Sequence, residues 1–488
     1  MPKQPAPAAD LIRRLKAAVG AANVVHAPED LLVYEYDCSI DREPPSIVVL
    51  PATCEEVAAV MRLAAQAGLP VTPRGAGTGI SGGAIPVGQG MVVALTRMAR
   101  ILEIDPANRI AVVEPGVINL DVSKAAAEHG LFYAPDPSSQ KACSIGGNVA
   151  ENSGGAHCLA YGMTTNHVLA LEVALPNGEV VWLGDPTGQA PGYDLRGVFI
   201  GSEGTLGIVT KAVLRLLPQP EAITTLLAVF DQTDHACAAV SAVIARGIVP
   251  AAVEMMDRLA IQAVEASLHA GYPEDAAAVL LIELEGLLET VAEQSEAVAA
   301  ICGEQQARTV QVAQSAEQRE RLWAGRKGVA GAFGSIAPNY YILDGVAPRT
   351  KLPEVLRRVE EIAARYEFPV ANVLHAGDGN LHPCILFDDR VPGAGRRVLE
   401  AGLEIMRVCV DAGGALTGEH GIGIEKQDCM AWVFSEADLG AMAKLRPAFG
   451  AGTMFNPGKV FPGARGEWTG SAGSRGVMER ALASGAYI

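Results

Sequence analysis

Residues 375–382 read His375-Ala-Gly-Asp378-Gly-Asn380-Leu-His382, and residues 418–421 read Gly418-Glu419-His420-Gly421. Three of the nine histidines and an acid are thus gathered into two glycine-rich turns. Imidazole suits zinc or manganese, and a carboxylate completes a three-ligand site with open positions. His420, beside the acid, could take a proton. A separation of seven positions from His375 to His382 makes no metal signature alone, but a turn containing Gly377 and Gly379 can fold both rings together. Asp378 has two readings: a group that orients a ligand histidine, or a turn residue capping its own backbone, which the glycines favour. Glu419 could instead partner a buried arginine.

The elements that must position these turns lie in a chain of 488 residues, enough for two or three domains. Residues 10–20 predict a short amphipathic helix. Ser46 to Leu50 reads as an apolar strand, and Thr53-Cys-Glu-Glu56 as a capping box opening a helix with Val57, Val60, Met61 and Ala64 on its apolar stripe. Gly68 and Pro70 end that helix. Met91 to Leu95 and Ile110 to Val113 are further strands, and Leu120 to His129 a helix. Residues 135–155 read as loop, and residues 169–183 as a hairpin around Asn177-Gly178. After Pro218-Gln-Pro220 the pattern alternates: strands at 224–230, 251–256 and 278–285, helices at 235–246, 257–269 and 288–302. Segments 339–346, 370–374 and 383–387 add strands, so the histidine motif lies in a turn between two of them. A helix follows at 396–411.

The expected organisation is an N-terminal helical segment (1–40), a first domain (41–220), an α+β sheet domain carrying the histidine motif (221–420), a C-terminal return segment (421–462) and a loosely packed Gly/Ser/Ala tail (463–488). Net charge is −17 with no run of basic residues, which argues against nucleic acid or an anionic membrane as partner. No stretch of 18 apolar residues exists, and residues 1–10 show no apolar signal core. The nine cysteines form no C-x-x-C pair, which disfavours disulfides, iron–sulfur clusters and thiolate zinc sites and fits a cytoplasmic setting.

Residues 74–83, Arg-Gly-Ala-Gly-Thr-Gly-Ile-Ser-Gly-Gly, contain a formal G-x-G-x-x-G from Gly77 to Gly82. A nicotinamide-binding fingerprint needs a helix directly after it, which Gly83-Ala-Ile-Pro86-Val-Gly88 cannot supply. A nest of backbone N–H groups around a phosphate is the alternative chemistry; a flexible surface loop is the plainer one. Two further polar glycine-rich stretches, 135–155 and Gly201-Ser-Glu203-Gly-Thr-Leu-Gly207-Ile208-Val209, favour a long phosphate-bearing ligand with a flat ring.

These three segments resemble the FAD-binding domain of the vanillyl-alcohol oxidase (PCMH-type) family. With Val253-Glu-Met-Met-Asp257, Trp323-Ala-Gly-Arg326-Lys327, Asp344-Gly345, the two histidine turns and Phe455-Asn456-Pro-Gly-Lys459, the chain is similar to the D-2-hydroxyacid dehydrogenase branch, within it to the large flavin subunits of bacterial glycolate oxidases. The resemblance implies a two-part FAD-binding domain, an α+β cap domain with an antiparallel sheet, and a C-terminal helical return to the flavin. It implies that FAD lies on Pro73, Arg74, Gly75, Ala76, Gly77, Thr78, Gly79, Ser81 and Gly82. It further implies Pro135, Asp136, Ser139, Ser144, Ile145, Gly147, Asn148, Asn152, Gly154 and Gly155 along the cofactor. Glu203, Gly204, Ile208 and Val209 would serve its adenine or ribose end, and Asn456 the ring end. No histidine lies in 74–83, so non-covalent FAD is expected, with His157 and His167 structural.

The resemblance also implies His375, His382 and Glu419 as ligands of a divalent metal, zinc or manganese, with His420 as general base. Arg326 is the expected clamp for a substrate carboxylate, because its planar fork can hold an acid through two bonds; an exposed helical arginine is the plainer expectation. Cys384 stands where relatives with larger diacid substrates carry Asn, which disfavours 2-hydroxyglutarate. Tyr340 and Tyr341 are further pocket candidates. The expected reaction is oxidation of a small 2-hydroxy acid, glycolate or D-lactate, to the 2-oxo acid. With no cluster or haem motif in the chain, a second flavin subunit and an iron–sulfur subunit are the expected electron partners, with peripheral inner-membrane attachment through them. Alternatives are a D-2-hydroxyacid dehydrogenase acting alone, a flavin-carrying subunit without turnover, or a non-redox alkyl-transfer synthase on the same scaffold.

Overall fold

The computed structural model describes residues 9–188, 191–452 and 455–462; the tail expected at 463–488 lies outside them. The chain divides into two compact units. One comprises residues up to Gly154, Met163–Pro218 and the chain from Glu419 onward; the other comprises Gly155–Gly162 and Gln219–Gly418.

The first unit opens with the helix Ala9–Val19, which buries Leu11, Leu15 and Val19. A β-α-β unit follows. The strand Ile47–Val49 leads to the helix Cys54–Ala67, whose first turn is closed by the Glu56 N–H donating to Thr53 Oγ1, and which ends on Gly68 at φ 62°. The strand Val71–Arg74 then pairs in parallel with Met91–Ala94. With Val24–Val25 at one edge they form a four-stranded sheet. Between Gly79 and Gly90 there is no helix. That satisfies the argument against a dinucleotide turn, which needs the helix dipole behind the loop.

A second, five-stranded antiparallel sheet runs in the order Ile101–Asp105, Ile110–Val113, Ile208–Arg215, Val168–Ala174, Val180–Gly184. The hairpin expected around Asn177-Gly178 joins its last two strands, with Gly178 at φ 78°. Apolar cores back both sheets, one with Val57, Met61, Val93 and Phe455, the other with Val113, Ile145, Val173 and Phe199. Residues 135–155 depart from the all-loop expectation. A helix, Ile145–Glu151, starts there with Ser144 Oγ accepting from the Gly147 N–H. Gly146 and Gly147 disguise it, since glycine weakens helix propensity. Gly146 is nonetheless required, because a Cβ there would stand 2.7 Å from Pro115 Cβ.

The second unit is built on an eight-stranded antiparallel sheet. Its order is Thr309–Val312, Ala222–Phe230, Ala278–Gly286, Ala252–Asp257, Val370–His375, Asn380–Phe387, Asn339–Ile342, with Gly345–Val346 also on Asn380–Phe387. The helices Thr233–Ala245, Arg258–Ser267, Leu288–Glu304 and Ala394–Asp411 match the alternation read from the chain; Ala316–Ala332 and Leu352–Tyr366 add two more. Residues 155–162 join this unit although the sequence places them among the cofactor loops. Their anchors are polar: His157 Nε2 lies 3.2 Å from Glu283 Oε1, and Tyr161 donates to Glu285 at 2.5 Å. Among the described residues no helix is long and apolar enough to cross a membrane.

Candidate active site

In the first unit, three of the predicted glycine-rich stretches meet. A Cβ on Gly75 would stand 2.3 Å from Ser144 Oγ, and one on Gly204 3.3 Å from Pro73 Cγ. Within residues 75–83 no backbone N–H donates to an acceptor among the described residues, whereas the next one, Ala84, donates to Asp37. Ser81 adds a buried hydroxyl with no protein partner. A run of nine such groups is the kind of backbone nest that a phosphate-bearing ligand could take. Arg74 is fixed beside the same loop. Its guanidinium donates to the Tyr36 carbonyl at 2.8 Å and underlies Gly77, where a Cβ would stand 2.3 Å from Nη2 at φ 72°. It supports the loop from below.

Glu203 and Asn456 hold backbone groups within the first unit. The Glu203 oxygens accept the N–H groups of Ile422 and Gly423 at 2.7 and 2.6 Å. Asn456 Nδ2 donates to the carbonyls of Gly83 and Glu203, both at 2.8 Å, and its oxygen accepts from Lys459. Both side chains are struts that tie residues 421–423 and 456 to the cofactor loops. Sequence spacing could not reveal this, because the bonds join residues more than 200 positions apart. Burial pushes the Lys459 ammonium down to about 8. Asn148, buried, shares its amide oxygen with Asn119, whose Nδ2 also donates to Pro135. Asn119 thereby fixes the start of the 135–155 stretch. Ile208 and Val209 are buried in the first unit's core.

In the second unit the histidines stand on strands. His375 ends Val370–His375 and His382 lies within Asn380–Phe387, so residues 376–379 alone form the turn. The rings meet edge to face with centroids 5.2 Å apart, and each offers a nitrogen within 4.8 Å of one on the other. His375 Nδ1 lies 2.8 Å from Glu254 Oε1; His382 Nδ1 lies 3.1 Å from the Leu343 carbonyl and 3.9 Å from Asp344. Each ring is therefore oriented through Nδ1. Asp344, fully buried, accepts from Asn380 Nδ2, Thr417 Oγ1 and the Gly418 N–H at 2.8, 2.5 and 3.0 Å. It ties the histidine hairpin to the segment from which Glu419 and His420, both half-buried, continue the chain. Glu254 and Asp344 were not read as site residues; the one available signal was a lone acid inside each apolar segment.

Asp378 is exposed and accepts the Asn380 N–H, as a turn residue does. Arg326 is buried rather than exposed, its Nη2 2.5 Å from Glu254 Oε2. Cys384 is buried with its thiol on the His382 carbonyl, Tyr341 packs at Gly402, and Tyr340 lies edge-on to Phe333 with 40% of its surface exposed. His167 is buried against Tyr133. His157, Glu283 and Glu285 form another grouping within ligand distance. Glu283 is already engaged by Thr225, Arg319 and Trp323, and His157 stacks on Trp323, so this cluster is structural.

Glycine-rich loops that meet in one unit and a paired-histidine hairpin on an antiparallel sheet in the other accompany a flavin-dependent oxidoreductase of two-domain, PCMH-type fold. Residues 45–184 match the family model described as FAD binding domain, and residues 219–460 that of FAD linked oxidases, C-terminal domain. The chain belongs to the FAD-linked oxidase family. It is 46% identical over 453 residues to "Glycolate oxidase subunit GlcD" of Escherichia coli (strain K12), spanning 93% of this chain and 91% of that one. It is 33% identical to "D-lactate dehydrogenase" of Anaerostipes hadrus over 85% of this chain and 89% of that one. The solved 4-ethylphenol oxidase of Gulosibacter chungangensis shares the fold, with a TM-score of 0.78, 18% identity, and coverage of 93% and 97%.

Proposed function

We propose that this protein is the catalytic flavin subunit of an enzyme that oxidises a small 2-hydroxy acid, glycolate first and D-lactate second, to the 2-oxo acid. The observation that carries the reading is the His375–His382 pair, each ring oriented through Nδ1 by Glu254 or by the Leu343 carbonyl. Buried histidines held in that way are built as metal ligands. The third ligand is Glu419, which follows Gly418 directly, and Gly418 is held by Asp344. The ion, zinc or manganese, would lower the pKa of the substrate hydroxyl, and non-covalent FAD would accept the hydride.

The protein's own residues do the rest. His420 takes the hydroxyl proton, a contribution of roughly 10²–10⁴-fold for a positioned base. Arg326 holds the substrate carboxylate: its Nε–H is buried with no acceptor in the described protein, a donor that an anionic substrate would satisfy. Holding carboxylate and hydroxyl together presents the substrate carbon in one orientation, which reduces the entropic part of the barrier. Cys384, packed in the apolar core cluster, offers no strong donor to a second carboxylate and so favours small monoacids. Electrons then pass to a second flavin subunit and an iron–sulfur subunit, consistent with the relative named as a glycolate oxidase subunit.

The test is anaerobic flavin reduction with glycolate, D-lactate, L-lactate and D-2-hydroxyglutarate. Fast bleaching by glycolate or D-lactate and slow bleaching by the other two is expected. A flavin that none of the four reduces would remove the assignment.

A further inference from the structure

Glu254 is the middle residue of an otherwise apolar run, Ala252 to Met256, and is only 1% exposed. Its Cα partner on the neighbouring antiparallel strand is His375, so the two side chains share one face of the sheet. One carboxylate oxygen lies 2.8 Å from His375 Nδ1 and the other 2.5 Å from Arg326 Nη2. Arg326 is brought there by close helix packing: a Cβ on Gly325 would stand 2.6 Å from Ala270 and 2.9 Å from the Tyr272 ring. Tyr272 in turn donates to the Leu322 carbonyl, fixing the same helix turn.

A buried ion pair is a poor source of stability, because desolving two charges costs about as much as their attraction returns, and apolar residues of similar volume often serve as well. The arrangement is better explained by the ring it holds. A carboxylate on Nδ1 selects the tautomer that bears the proton there, directs Nε2 outward and raises the basicity of the ligand.

We propose that Glu254 is the positioning residue of the metal centre, and that through Arg326 it couples metal affinity to the group that takes the substrate carboxylate. This rests on the metal reading above. It gives Arg326 two tasks: Nη2 holds Glu254, and the Nε–H meets the substrate.

The test measures zinc affinity of the full-length, FAD-loaded protein by competition with a chromophoric chelator, in the wild type, Glu254→Gln and Glu254→Asp. Zinc should bind about 10–100-fold more weakly to Glu254→Gln, the usual effect of losing such a partner, with flavin content unchanged. Glu254→Asp keeps the charge on a shorter arm and should fall between. Excess zinc should restore flavin reduction to the Gln variant. If that variant fails to fold, Glu254→Asp carries the same comparison. Wild-type zinc affinity in either folded variant overturns the role of Glu254 and leaves the metal reading standing. A wild type that takes up neither zinc nor manganese overturns both.

Discussion

Glu203 grips Gly423: one carboxylate oxygen accepts the Gly423 N–H at 2.6 Å while the other accepts that of Ile422 at 2.7 Å. The turn that follows His420 is thereby locked to the loop after residue 200. Gly421 fits it only as glycine, with φ 89° and no room for a Cβ, which would stand 2.4 Å from Glu151 Oε2. Glu203→Gln turns an N–H donor toward a backbone donor, a loss of about 1–3 kcal/mol for a buried group left unmatched. The variant should melt several degrees lower and reduce its flavin more slowly. An unchanged melting temperature and rate would show that the turn is held by other means.

Removing the imidazole at 420 should separate binding from chemistry. His420→Ala is expected to retain FAD and to lose about 10²–10⁴-fold in anaerobic flavin reduction. Stopped-flow reduction with glycolate gives the comparison. Wild-type speed in the variant removes His420 from the mechanism.

Metal removal tests the hairpin directly. Dialysis against a chelator should suppress reduction by glycolate, and zinc or manganese should bring it back, because the hydroxyl is too weak an acid to ionise unaided. The same treatment should leave flavin absorbance intact, as the expected phosphate-binding loop would act through backbone N–H groups. An undiminished rate after verified metal loss would refute a Lewis-acid role.

Glu283 makes the second unit sensitive to acid. Burial alone would raise its pKa, but hydrogen bonds from His157 and Arg319 outweigh that and hold it at about 2. A depressed carboxylate contributes stability that is complete above the unfolded value, near 4.3, and is lost as pH falls through the folded one. Wild type should therefore be more stable than Glu283→Gln at pH 6, with the gap closing between about pH 4.5 and 2. Chemical denaturation across that range measures it; a gap that stays constant would mean the carboxylate charge contributes nothing.

Much of this architecture follows from local patterns. The capping residue Thr53 and stop Gly68 delimit the helix Cys54–Ala67, the Asn177-Gly178 turn marks a hairpin, and the strand–helix alternation after residue 220 is the antiparallel sheet of the second unit. The glycine run 75–83 and the spacing His375–His382 were legible for the same reason: backbone freedom and residue chemistry are written in neighbouring positions. What tertiary structure alone decided is the company these residues keep. Glu254 opposes His375 only because strands 121 positions apart adopt one register, and Arg326 is buried only because Gly325 lets its helix approach. Glu203 and Asn456 join distant parts of the first unit through bonds spanning 219 and 253 positions. No window of sequence contains such pairings, since burial and strand register are set by the whole core at once.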